Sequence, residues 1–171
     1  EDYLHVVGLV DFFATYGVIP PTIVIGISNV DHRRDFTRPS SDPADRKAAP
    51  TSGGADAFVK FLETELEPYC DTHYRTTAAR TLIGQSLGGL VATQILLEKP
   101  ARFTQYIIVS PSLWWDKQTL MQSAPAMIKA HAVAGRTVYL SVGNEGKEMR
   151  TADAQLDSLL QNSSWPGVRH K

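Results

Sequence analysis

"TLIGQSLGGLVATQILLEKP", residues 81–100, sets one serine between an apolar run suited to a strand and an apolar run suited to a helix. Ser86 has Gly84 two residues before it and Gly88 two after. A serine at the tip of a strand–turn–helix bend takes a strained backbone conformation, and residues two positions away crowd it. Glycines at 84 and 88 would remove the side chains that clash, which is the physical content of G-x-S-x-G. Gly89 would let the helix lie close to its neighbours. The amide of Leu87, first in that helix, would point at an oxyanion developing on a substrate carbonyl. The bare pattern is common. A strand before it and a helix after it are what give it weight, and a tight strand–helix packing turn is the competing reading.

The flanking chain repeats the alternation. Residues 3–16 carry Leu4, Val7, Val10 and Ala14 at helical spacing, stopped by Gly17 and Pro20-Pro21. "TIVIGI" at 22–27 is a short β-branched run like a strand buried on both faces. Residues 28–54 are polar and proline-rich and read as a surface loop. Helical faces follow at 55–69 and 87–97, within 119–134, and at 151–160; strands follow at 81–83, 106–110 and 137–142. Strands alternating with helices predict an α/β class, a three-layer α/β/α sandwich with a mostly parallel sheet. No internal repeat or low-complexity segment interrupts it.

With 171 residues, 43% hydrophobic and 20% charged, the chain has the size and composition of one soluble domain. A net charge of -1 provides no field to recruit nucleic acid, and no run reaches the roughly 20 apolar residues that span a bilayer. Lone Cys70 excludes an intramolecular disulfide and any CxxC motif, and its helical setting suits a buried structural thiol. No HExxH, P-loop or GxGxxG pattern occurs, so hydrolysis without metal or organic cofactor is the chemistry that remains.

Four segments together resemble a family. "LIGQSLGGLVA" (82–92), "SPSLWWD" (110–116), "VIGISNVDHRRDFT" (24–37) and "LSVGNEGKEM" (140–149) look like the Putative esterase branch of the α/β hydrolases. That branch includes enterochelin-esterase-like and S-formylglutathione-hydrolase-like enzymes. The resemblance covers most of the chain in the expected order. It implies ester hydrolysis through Ser86, with an acid and a histidine completing a triad, and a small-molecule ester, siderophore-like among others, as substrate.

In this fold the acid follows a later strand and the histidine follows the acid. Glu145, just past the strand at 137–142, fits the turn in which the family places its acid. It would orient the imidazole and offset its charge; a solvated loop glutamate is the plainer reading, and Glu148 and Asp153 are rivals. His5, His32, His73 and His131 lie in the wrong elements and read as surface or packing residues. His170 has the right order, yet it stands one residue from the end, where the family would begin a strand that precedes its histidine. The second oxyanion donor of the fold belongs to a loop after a strand that would precede Glu1. The chain therefore reads as a single α/β-hydrolase domain, 1–171, that is the central piece of a longer catalytic domain.

Trp114 and Trp115 follow a strand end and either wall an acyl pocket or cap the core. Arg33, Arg34 and Asp35 read as an internal ion pair ahead of a carboxylate-binding site. A non-catalytic α/β module with an incomplete triad is the alternative function. Oligomeric state stays open, as does the compartment, cytoplasmic or periplasmic, of a soluble chain.

Overall fold

The computed structural model describes residues 3–131, 135–163 and 165, and the chain divides into two compact units, Glu1–Val30 and Asp31–Lys171. In the first, α1 (Tyr3–Thr15) buries none of its residues. It ends where Gly17 takes a φ of 70° and Val18 N–H reaches back to the Phe13 carbonyl at 2.8 Å, a left-handed stop that glycine makes without penalty. Residues 22–27 are not a strand, contrary to the β-branched pattern. Ile23, Ile25 and Ile27 are 50%, 48% and 40% exposed. β-propensity describes a side chain's fit to a pleated, half-buried surface; it supplies no partner for the backbone N–H and C=O groups.

The second unit holds a parallel sheet in the order β1 (Thr81–Gln85), β2 (Gln105–Val109), β3 (Thr137–Ser141). Its register sets Gln85 level with Val109, and Val109 level with Ser141, so the three strands end on one line. α6 (Leu87–Glu98) lies on β1 and β2, and α7 (Trp115–Ala130) bridges it to α8 (Lys147–Gln161), which reaches β3. These three helices form one layer over the sheet face carrying Gly84, Tyr106, Ile108 and Val138, all buried. The opposite face leaves Ile83 and Tyr139 exposed, so the strands bury with period two where a two-sided run was expected.

The core is dense at α6, where nine of the twelve residues are buried, among them Ala92, Leu96 and Leu97 at 0% exposure. Each leucine buried there contributes about 1.5–3 kcal/mol. The helical region after residue 54 runs as α4 (Ala55–Phe61), a π turn (Leu62–Leu66) and α5 (Glu67–His73), with Cys70 buried and unbridged.

The polar stretch is more ordered than a loop. α2 (His32–Phe36) is capped by Asp31, whose carboxylate accepts from the Arg33 and Arg34 amides, and α3 (Pro43–Ala48) is capped by Asp42. Arg34 pairs with Asp35 at 2.7 Å while Arg33 donates to the Ala48 carbonyl, so all three candidate groups serve the stretch itself. Arg38 forks onto Glu98 at 2.7 and 2.9 Å and also meets Asp56, fastening the stretch to α6 and α4.

α7 opens on a left-handed turn: Asp116, Lys117 and Gln118 have φ of 49°, 54° and 64°. Such a turn costs roughly 1–2 kcal/mol per non-glycine residue. Asp116 anchors it, accepting from Ser41 N–H at 2.6 Å and from the hydroxyls of Ser41 and Ser40, while its own N–H donates to Asp45. Burial opposes the charge of Asp116, but these hydrogen bonds outweigh it and hold the carboxyl below its ordinary range. Among the described residues the exposed Lys117 side chain makes no such bond. Lys117→Gly should therefore stabilise the protein by about 0.5–1 kcal/mol in urea unfolding, the relief of strain exceeding glycine's added unfolded-state freedom. A loss of stability would mean that the lysine side chain itself holds the turn.

Candidate active site

Ser86 stands between β1 and α6 with φ 53° and ψ −118°, a conformation L-residues rarely adopt. Backbone bonds fix it there. Its N–H donates to the Val109 carbonyl at 3.1 Å, and its carbonyl accepts from Leu90 and Ser112 at 2.9 and 3.0 Å. A Cβ on Gly84 would lie 2.6 Å from the carbonyl carbon of Gly88 and 3.0 Å from the Gly89 nitrogen, so the first glycine is a steric necessity. The expectation for Gly88 is corrected: a Cβ there would meet only Phe36, at an ordinary 3.8 Å. Gly89 is the second tight position, where a Cβ would stand 2.9 Å from Pro111 Cα, two residues past β2.

The Ser86 side chain is exposed and does not cap α6; its Oγ lies 3.3 Å from that of Ser112. Leu87, the first residue of α6, therefore presents an N–H that has neither an intrahelical acceptor nor a serine cap.

The strand register brings the Glu145 carboxylate to the same edge. Ser110, just past β2, has a φ of 45° and is 7% exposed. Its hydroxyl donates to Glu145 Oε1 at 2.5 Å and accepts from the Gly143 N–H at 3.3 Å. The other oxygen, Oε2, is buried with no hydrogen-bond partner among the described residues. Ser110, Pro111 and Ser112 thus connect Glu145 to Ser86. Within "SPSLWWD" the sequence marks these serines only by their repetition at a strand end.

Trp115 is 6% exposed, with its indole N–H donated to the Arg38 carbonyl at 2.9 Å, and belongs to the core. Trp114 is half-buried beside it, ring centroids 6.0 Å apart, and keeps the accessible face of the pair. His73 stacks on Tyr69, and His131 Nδ1 lies 3.0 Å from the Leu97 carbonyl. His170 lies outside the described residues. Glu148 is exposed, whereas Asp153 is 8% exposed, its Oδ1 without a hydrogen-bond partner among the described residues. Burial, then the charges of Asp157 and Glu145, push the Asp153 carboxyl up to about 6. Among the described residues no group of three or more His, Cys, Asp or Glu side chains is placed to hold a metal ion, and no helix is long and apolar enough to cross a membrane.

A nucleophile-type elbow after a parallel strand, with a carboxylate brought to the same sheet edge two strands away, defines the α/β-hydrolase fold. Residues 5–169 match the family model described as Putative esterase, and the chain belongs to that family. It is 38% identical over 118 residues to the ferri-bacillibactin esterase of Bacillus subtilis (strain 168), covering 62% of this chain and 41% of that one. It is 32% identical over 153 residues to the siderophore triacetylfusarinine C esterase of Aspergillus fumigatus, covering 85% of this chain and 51% of that one. The crystal structure of an IroE-like serine hydrolase from Shewanella oneidensis superposes with a TM-score of 0.77 at 26% identity, over 98% of this chain and 58% of that one. The chain spans about half the length of these curated relatives.

Proposed function

We propose that the chain carries the nucleophile and acid of a serine esterase acting on small siderophore-type esters. The observation that carries this reading is the exposed Ser86 hydroxyl held on a backbone of φ 53° and ψ −118°. The names of the ferri-bacillibactin and triacetylfusarinine C esterases support the substrate class.

In the proposed reaction a histidine, for which His170 has the required chain order, takes the Ser86 proton as Oγ attacks the ester carbonyl carbon. The Leu87 N–H donates to the oxyanion of the tetrahedral intermediate. The bond to the alcohol oxygen then breaks, and that oxygen takes the proton from the imidazolium. Water repeats the sequence on the acyl-enzyme, releasing the acid and restoring Ser86. Glu145, steadied by Ser110, orients the imidazole. Trp114 offers its accessible face to the acyl or aryl group, with Trp115 packed behind it.

A fluorophosphonate probe tests the reading, because it reacts only with an activated serine. Labelling of the native gene product at the peptide bearing Ser86 is expected. Its absence would favour a non-catalytic module.

A further inference from the structure

One short segment past β2 holds Ser86 at three points. The Val109 carbonyl accepts its N–H at 3.1 Å. Ser112 meets it twice, donating its N–H to the Ser86 carbonyl at 3.0 Å and setting its Oγ 3.3 Å from Ser86 Oγ. The segment itself is fixed. Pro111 is fully buried, and α6 lies so close that a Cβ on Gly89 would stand 2.9 Å from Pro111 Cα. Ser110 N–H donates to the Ser141 carbonyl at 2.7 Å, and the Ser112 carbonyl accepts from Trp115 N–H at 3.1 Å. Ser112 is 2% exposed, between Pro111 and the buried Leu113. A locked hydroxyl therefore faces an exposed one.

Serine is among the preferred residues at a helix N-cap, where its oxygen accepts from amides of the first turn. Ser86 occupies that position on α6 and makes no such bond. Its Oγ meets Ser112 instead.

We propose that Ser112 is a positioning residue for the nucleophile, its hydroxyl donating to Ser86 Oγ and setting the direction from which that oxygen attacks. This rests on the reading of Ser86 as the nucleophile. A serine hydroxyl has one proton and two lone pairs. In the attack the Ser86 proton leaves for the base, so it is not given to Ser112, and Ser112 is the donor of the pair. One lone pair of Ser86 Oγ receives the Ser112 hydrogen, and the other faces the ester carbonyl carbon. The O–H bond of Ser86 breaks as the bond from Oγ to carbon forms, and Ser112 keeps its own proton throughout. A separation of 3.3 Å is long for two hydroxyls; hydrogen bonds at reacting atoms commonly tighten once substrate is bound. Holding the attacking atom in line is what such a contact contributes to rate.

The test compares wild type with Ser112→Ala in the native gene product, using a neutral p-nitrophenyl ester and counting active sites by fluorophosphonate labelling. Per labelled site, kcat is expected to fall about tenfold, the equivalent of one modest hydrogen bond, with KM little changed. A merely structural serine would reduce stability and the number of labelled sites and leave kcat per site at the wild-type level. That result, or a rise in KM alone, would overturn the proposal. Should Ser112→Ala not fold, Ser112→Cys takes its place, since it gives up the strong donor at similar size. Wild-type kcat per site would overturn the proposal there too.

A second measurement needs no turnover. The thiol introduced by Ser86→Cys is titrated by thiolate absorbance, as a difference from protein without that substitution so that buried Cys70 cancels. A hydroxyl donating to the thiolate favours it, so adding Ser112→Ala should raise the midpoint by about half a pH unit to one unit. An unchanged midpoint would overturn the donation. Labelled wild type with unchanged kcat and midpoint removes only the role of Ser112. Unlabelled wild type removes the esterase reading, while the thiol still reports whether Ser112 donates to the side chain at position 86.

Discussion

Ser86→Ala and Ser86→Gly are expected to abolish ester turnover alike, by roughly 10⁴- to 10⁶-fold in kcat, yet to move stability differently. Among the described residues the side chain makes one hydrogen-bonding contact, to Ser112 Oγ at 3.3 Å, and it does not cap α6. Its removal therefore takes little from the fold. The backbone at φ 53° and ψ −118° is strained for any residue bearing a Cβ, and alanine retains that strain. Glycine relieves it, so Ser86→Gly should exceed Ser86→Ala in stability by about 1–2 kcal/mol, measured by urea unfolding. The pair separates chemistry from conformation. Turnover surviving in either variant would discard the nucleophile. Equal stabilities would mean that the bend is relaxed and that its shape has some other origin.

The elbow could be read from the sequence because its cause is local. Gly84 and Gly89 meet backbone within a few residues or at the adjacent strand end, and the strand and helix around them carry their own apolar patterns. The placement of Glu145 was legible for a related reason: in a parallel sheet every strand delivers its following turn to the same edge, so chain order alone brings this carboxylate to the edge that carries Ser86.

What stayed hidden depends on long-range contact. The left-handed turn at Asp116 is held by Ser40 and Ser41, about 75 residues away in the chain. No glycine marks it. Ser110 acquires its role only through Glu145, 35 residues on. Residues 22–27 mislead in the opposite way, having the composition of a strand without the paired backbone that makes one. Burial on one sheet face was equally out of reach, because Ile83 and Tyr139 do not say in sequence that they stay exposed.

Gly84→Ala should be the most damaging single methyl group in the chain. The added carbon would fall on the Gly88 carbonyl group, with 2.6 Å to its carbon and 3.0 Å to the Gly89 nitrogen, and none of these atoms is the end of a flexible side chain. Relief requires β1 and the start of α6 to part. Overpacking of this kind costs about 1–3 kcal/mol, and turnover should fall further than stability, by on the order of 10²-fold, because the Ser86 hydroxyl and the Leu87 N–H sit on the two segments that separate. Gly88→Ala is the internal control. Its Cβ meets Phe36 at 3.8 Å, and alanine is the better helix former by about 1 kcal/mol, so stability should hold or rise. Comparable damage from both substitutions would show that crowding at the bend is symmetric, and that the helix start does not lie as close beneath β1 as the contacts at Gly84 require.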